Sequence, residues 1–301
     1  MTRLAKPCVL DDLCNMGPGE FRIRHTDIPE EVQNRLGRAA GDFAIPIVLD
    51  WQFLGSGTLI RFANSYGILT AEHVVRHPSK VEKRIDTSIN SKQRLITTVA
   101  EYPHELAIET RFLDMRTTVR QDDEFGPDLA FIRIPHGPFL NELRARKSFV
   151  NVGIDPRKRF DQAMDQRGCV VFSGFPNETR FNDKPELGFQ LVNGLLGVGF
   201  ITGQDKHFER GEHDYIEVGV SRKPGLSPPT TFKGVSGGGL WRVPIVRPEN
   251  ARTETNVDFG NLRLAGVVFH ESDPNEYQTI RAHGPVSLYE VFFPGLEKAF
   301  G

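Results

Sequence analysis

Short apolar, β-branched segments recur along this chain between glycine- and proline-rich turns, and that rhythm restricts its fold more than any other feature. Residues 43–49, 57–62, 66–70, 129–134, 169–172, 215–220 and 264–269 are the clearest. Each is strand-sized and too short for an ordinary helix. With 29 glycines and 20 prolines among 301 residues, the pattern predicts an all-β barrel or sandwich. Helix signals are few. Thr26-Asp27 ahead of Pro29, Glu30 and Glu31 supplies a cap, an early proline and first-turn acids, which predicts a helix over 28–40. Further helices are expected at 139–147 and 286–300, the last interrupted at Pro294. The chain divides into a leader with one helix (1–42), a first β unit (43–150) and a second β unit with a closing helix (151–301). No internal repeat and no low-complexity tract is present.

Composition removes several function classes. A net charge of −2, with Lys and Arg scattered among acids, provides no electrostatic footprint for nucleic acid. Runs such as Arg144-Ala145-Arg146-Lys147 and Arg157-Lys158-Arg159 read as solvated faces. No stretch approaches the roughly 20 apolar residues of a membrane span. Residues 1–20 lack the apolar core of a secretion signal. Cys8, Cys14 and Cys169 are odd in number and too few for a disulfide framework, so a reducing cytoplasm is the expected location. Cys169, within Gly-Cys-Val-Val-Phe, reads as a small buried hydrophobe in place of a nucleophile.

Three motifs carry chemistry. In Gly67-Ile68-Leu69-Thr70-Ala71-Glu72-His73, a strand ends and a tight turn presents His73. In Gly126-Pro127-Asp128-Leu129-Ala130, an acid opens a strongly apolar strand. A carboxylate buried there needs a partner, and a histidine Nδ1–H would serve. In Gly234-Val235-Ser236-Gly237-Gly238-Gly239, the glycines leave room for a carbonyl to approach. The amide N–H groups of Gly234 and Ser236 are then placed to bind an oxyanion. Taken singly, the first two motifs also fit a structural histidine and a turn aspartate. Order and spacing together single them out.

The motifs Thr70-Ala71-Glu72-His73, Asp128-Leu129-Ala130 and Gly234-Val235-Ser236-Gly237-Gly238 resemble the trypsin/chymotrypsin family of serine peptidases, in its bacterial-type, trypsin-like form. The order His, Asp, Ser is that of the family. The resemblance covers about residues 43–300 and implies a pair of six-stranded antiparallel β-barrels with the active site between them. It implies a catalytic triad of His73, Asp128 and Ser236, with Gly234 and Ser236 N–H as the oxyanion hole and no metal or organic cofactor. Protein or peptide is the implied substrate, and neither nucleic acid nor membrane is an expected partner. Val235 stands where digestive members carry an aspartate that pairs with a new N-terminus, so that activation switch is not expected. Ordering of the loop by substrate, by the leader or by a regulatory protein partner is the alternative. Thr230 would form the base of the primary pocket, with Phe269, His270 and Glu271 in its wall. Without an aspartate at that base, a small or medium side chain is the expected preference. A binding module with an incompetent oxyanion loop and an esterase using the same residues remain as other readings.

Two weaker patterns carry less. His73 and His77 are spaced as two ligands one helical turn apart, but no third ligand accompanies them and no zinc is expected. Gly197-Val198-Gly199-Phe200-Ile201-Thr202-Gly203 lacks the third glycine spacing of a dinucleotide loop and reads as a glycine-rich strand.

Overall fold

The apolar segments of the first half pair into one sheet. The computed structural model describes residues 29–76, 85–98, 105–118, 125–165, 168–177, 181–184, 189–191, 205–219, 231–246, 258–272 and 278–300. The first sheet holds β1 (Ala44–Leu49), β2 (Gln52–Phe62), β3 (Ser65–Thr70), β4 (Arg94–Thr98), β5 (Glu105–Glu109), β6 (Asp114–Thr117) and β7 (Ala130–Ile134). They lie in the order β5-β4-β1-β2-β3-β7-β6, and the short β8 (Val150–Asn151) adds to β2 in parallel. All other pairings are antiparallel. Pro46 is tolerated within β1 because β4 pairs only with Val48 and Leu49 on that side. Asp50 and Trp51, at φ 44° and 70°, close the β1–β2 hairpin with the twist that two-residue turns favour.

The second half repeats the principle. After β9 (Cys169–Phe172) and the small hairpin β10 (Phe181–Lys184) and β11 (Phe189–Leu191) come β12 (Asp205–Arg210), β13 (His213–Gly219) and β14 (Gly239–Val243). The short pair β15 (Ile245–Val246) and β16 (Asp258–Phe259) precedes β17 (Arg263–Glu271) and β18 (Thr279–His283). The six-stranded sheet runs β12-β13-β18-β17-β14-β9, every pair antiparallel. The fold is the all-β, two-sheet architecture expected from the strand rhythm, with eight strands in the first sheet where six were expected.

The two sheets share one apolar core. Ile60, Phe62, Leu69 and Phe131 of the first pack in a continuous cluster with Val171, Leu240, Trp241 and Val267 of the second. The leader helix α1 (Glu30–Gly41) buries Val32, Leu36 and Ala40, four residues apart on one face, in the same cluster. Its Arg35 bonds Asp258 of β16 at 3.0 Å. A one-turn helix, α2 (Glu72–Val75), follows β3. Helix α3 (Pro138–Arg146) matches the second expected helix, and α4 (Pro156–Met164) turns the Arg157-Lys158-Arg159 run into a helix that the sequence analysis missed. The terminal helix is wound as a π-helix over Val286–Phe292 and continues as α5 (Phe293–Phe300), so the winding changes beside Pro294. Cys169 is buried, its thiol pushed up to about 12 by desolvation, as befits a packed hydrophobe. Cys8 and Cys14, His77, and the glycine-rich segment 197–203 lie outside the described residues.

Candidate active site

His73 and Asp128 meet where α2 and the entrance to β7 converge. The first N–H groups of a helix lack intrahelical acceptors. Asp128 Oδ1 accepts that of His73 at 2.9 Å, so one carboxylate oxygen ties down the start of α2. The other oxygen lies 2.6 Å from His73 Nδ1. An ionised carboxylate only accepts, so the proton of a neutral His73 sits on Nδ1 and leaves Nε2 as a base. Asp128 is fully buried, and the His73 side chain keeps 26% of its surface exposed.

A third group fixes Asp128 from behind. Its backbone N–H donates to His283 Nε2 at 3.0 Å, from the end of β18 in the other sheet. His283 is fully buried, and its ring stacks on Phe269 with centroids 4.5 Å apart. Burial holds its imidazole down to about 3, so it is neutral with its proton on Nδ1. That Nδ1 is buried and has no hydrogen-bond partner among the described residues.

Ser236 lies in a loop whose peptide planes are pinned alternately. Lys233 O accepts from Asn177 N–H at 2.7 Å, Gly234 O from Ser56 Oγ at 2.7 Å, and Val235 O from Gly238 N–H at 2.8 Å. Val235 N–H donates to Phe232 O at 2.9 Å, and Gly237 N–H to Val268 O at 2.7 Å. In a trans peptide the N–H points opposite to the preceding C=O. The N–H groups of Gly234 and Ser236 therefore face away from Asn177 N–H and Gly238 N–H, and neither has a protein acceptor among the described residues. Gly234 and Gly237 sit at φ +98° and +90°, where a side chain is strained. At Gly237 a Cβ would also strike Ser56 O and Thr70 Oγ1.

The two parts meet across β2. A Cβ at Gly55 would lie 2.8 Å from Val74 Cγ2 and 3.1 Å from Ser236 O, so the residue after His73 and the backbone of Ser236 close on one spot. Ser56 N–H donates to Ser236 O at 2.9 Å. Ser236 is half-buried, and among the described residues no hydrogen bond joins its Oγ to His73 Nε2. Such bonds are often long without substrate and tighten once it binds.

Of the expected pocket residues, Thr230 lies outside the described residues. Phe269 is 5% exposed and turned inward against His283 and Tyr215. His270 is half-buried at the outer end of β17. Glu271 is folded back: its carboxylate accepts from Phe232 N–H at 2.8 Å, Thr231 Oγ1 at 3.0 Å and Gln278 Nε2 at 2.6 Å. It braces the approach to the Ser236 loop. Ser56, Asn177 and His283 were not among the residues expected from the sequence, because their bonds to the loop and to Asp128 go through backbone groups. Ser56 between two glycines in an apolar strand was the one available signal.

No family model matches this chain, and no curated protein matches it. Among solved structures, human heparin binding protein aligns with a TM-score of 0.45 and 12% identity, over 88% of this chain and 95% of that one. A likeness of that size transfers no property to this chain.

Proposed function

We propose that this protein is a serine endopeptidase in which Ser236 attacks a peptide carbonyl, His73 is the general base and acid, and Asp128 orients His73. The observation that carries the reading is the buried Asp128 carboxylate bonded to both His73 N–H and Nδ1, which leaves Nε2 as the basic atom. In the reaction, Nε2 takes the Ser236 hydroxyl proton as Oγ bonds to the carbonyl carbon. It then returns that proton to the leaving amine as the C–N bond breaks. Water repeats the sequence on the acyl-enzyme and restores Ser236. Asp128 stays ionised and stabilises the imidazolium.

The N–H groups of Gly234 and Ser236, without an acceptor among the described residues, support the oxyanion role, while the N–H groups of Val235 and Gly237 are used within the fold. This argues for a competent loop and against the binding-module reading. Val235 is buried at 1% exposure and carries no charge, so the loop is ordered without an ion pair at that position. The test is turnover of an unfolded protein and of a peptide library, with new N-termini mapped by mass spectrometry. Cleavage by wild type and none by Ser236→Ala is the expected result. Ester hydrolysis without peptide cleavage would move the assignment to an esterase.

A further inference from the structure

We propose that Ser56 is a positioning residue that sets the oxyanion-binding peptides, acting through the Gly234 carbonyl. The inference rests on the hydrolase reading for its consequence in catalysis, and on geometry alone for its effect on the loop.

Ser56 lies between Gly55 and Gly57 on β2 and is fully buried. A buried hydroxyl must be satisfied, and a serine offers one donor and two acceptor sites. Ser56 Oγ donates to Gly234 O at 2.7 Å and accepts from Phe175 N–H at 2.8 Å. Its backbone N–H donates to Ser236 O at 2.9 Å, and its carbonyl accepts from Thr70 Oγ1 at 2.7 Å. One residue thus makes four bonds to three segments: two to the loop, one to the chain after β9, and one to the end of β3 that leads into His73.

The consequence follows from peptide planarity. The Gly234–Val235 peptide lies between the two units whose N–H groups are free, so fixing its carbonyl limits rotation of both neighbours. Glycine at Gly234, with φ +98°, imposes little stiffness of its own. Val235 supplies apolar packing and no directional bond from its side chain. Two directional bonds restrain that plane, Val235 N–H to Phe232 O within the loop and the Ser56 hydroxyl to Gly234 O from outside it, and only the second comes from a side chain. Small displacements of a catalytic donor cost rate steeply, on the order of a hundredfold for about 1 Å.

The experiment compares wild type, Ser56→Ala and Ser56→Cys by acylation kinetics, thermal unfolding and amide hydrogen exchange. In Ser56→Ala the acylation rate falls about tenfold to a hundredfold with KM little changed. Exchange at Val235 and Gly238 N–H quickens at least about tenfold, while Ile60 N–H, in the paired centre of β2, keeps its protection. Ser56→Cys, a weaker donor of similar size, falls between the two. A purely structural role would lower Tm and the labelled fraction without changing the rate per folded molecule. Should Ser56→Ala fail to fold, Ser56→Cys decides by the same readouts. Wild-type acylation and unchanged loop exchange in a folded variant would overturn the inference. A folded wild type that never acylates would sink the hydrolase reading instead, and loop exchange would still decide the role of Ser56.

Discussion

The His73–Asp128 pair and the Ser236 loop sit side by side and are held by different chemistry. His73 and Asp128 are joined through side chains: a buried carboxylate, two bonds to one histidine residue, and a second histidine behind. The loop around Ser236 is held through its backbone, with each carbonyl pinned by a separate donor from Asn177, Ser56 or Gly238. Each half is also braced from the opposite sheet. Ser56 of the first sheet reaches the loop, and His283 of the second reaches Asp128. The contrast teaches that the pair depends on side chains, its own and that of His283, whereas the loop carbonyls depend on a side chain at Ser56 and otherwise on backbone N–H groups.

The sharpest break removes the proposed nucleophile. Ser236→Ala is expected to lower kcat by about a million-fold while leaving thermal unfolding nearly unchanged, measured on peptide substrate. On the other side of the comparison, Asp128→Asn keeps the shape of the pair but alters the tautomer of His73. A loss of about ten-thousandfold in kcat is expected. A loss under tenfold would mean that Asp128 does not orient the base.

Bracing residues should show smaller effects, and the two braces should differ in kind. Ser56→Ala acts on rate, as set out above. His283→Leu leaves the buried Asp128 N–H without its acceptor, which costs about 1–3 kcal/mol of stability in urea unfolding at neutral pH. The same variant tests a pH dependence. Burial depresses His283 to about 3 in the fold, against 6.5 for a free histidine. The unfolded chain therefore takes up a proton below pH 6.5 that the folded chain refuses until about pH 3. Stability contributed by the neutral form is complete above pH 6.5 and is lost as pH falls toward 3, by about 2 kcal/mol at pH 5. Desolvation lowers His213 in the same direction and adds to the slope. The slope between pH 7 and 5 should shrink in His283→Leu. An unchanged slope would show that His283 is protonated in the folded protein.

The same contrast explains what was legible in the sequence. Asp128 ahead of Leu129-Ala130-Phe131 and His73 after Ile68-Leu69-Thr70 stood out because their side chains do the bonding, and an acid beside a buried strand demands a partner. The strands around them were visible because β-branched runs such as Leu129–Ile134 can be little else. Of the braces, Ser56 alone left a trace, as a serine between two glycines. Asn177 offers the loop a backbone N–H, a group nearly every residue has, and Ser56 meets Gly234 only because β2 folds against a loop 178 residues away. Helix α4 was obscured because the charged run Arg157-Lys158-Arg159 reads as a solvated face, while the Pro156 start and the Asp155 cap to Lys158 N–H are local signals that were overlooked.

The central claim is that Ser236 is an activated nucleophile. It is tested most directly by reacting folded protein with a fluorophosphonate probe and mapping the modified peptide. Stoichiometric labelling at Ser236, abolished in Ser236→Ala and strongly slowed in Asp128→Asn, is the predicted result. Folded wild-type protein left unlabelled, or labelled at a residue other than Ser236, would contradict the account.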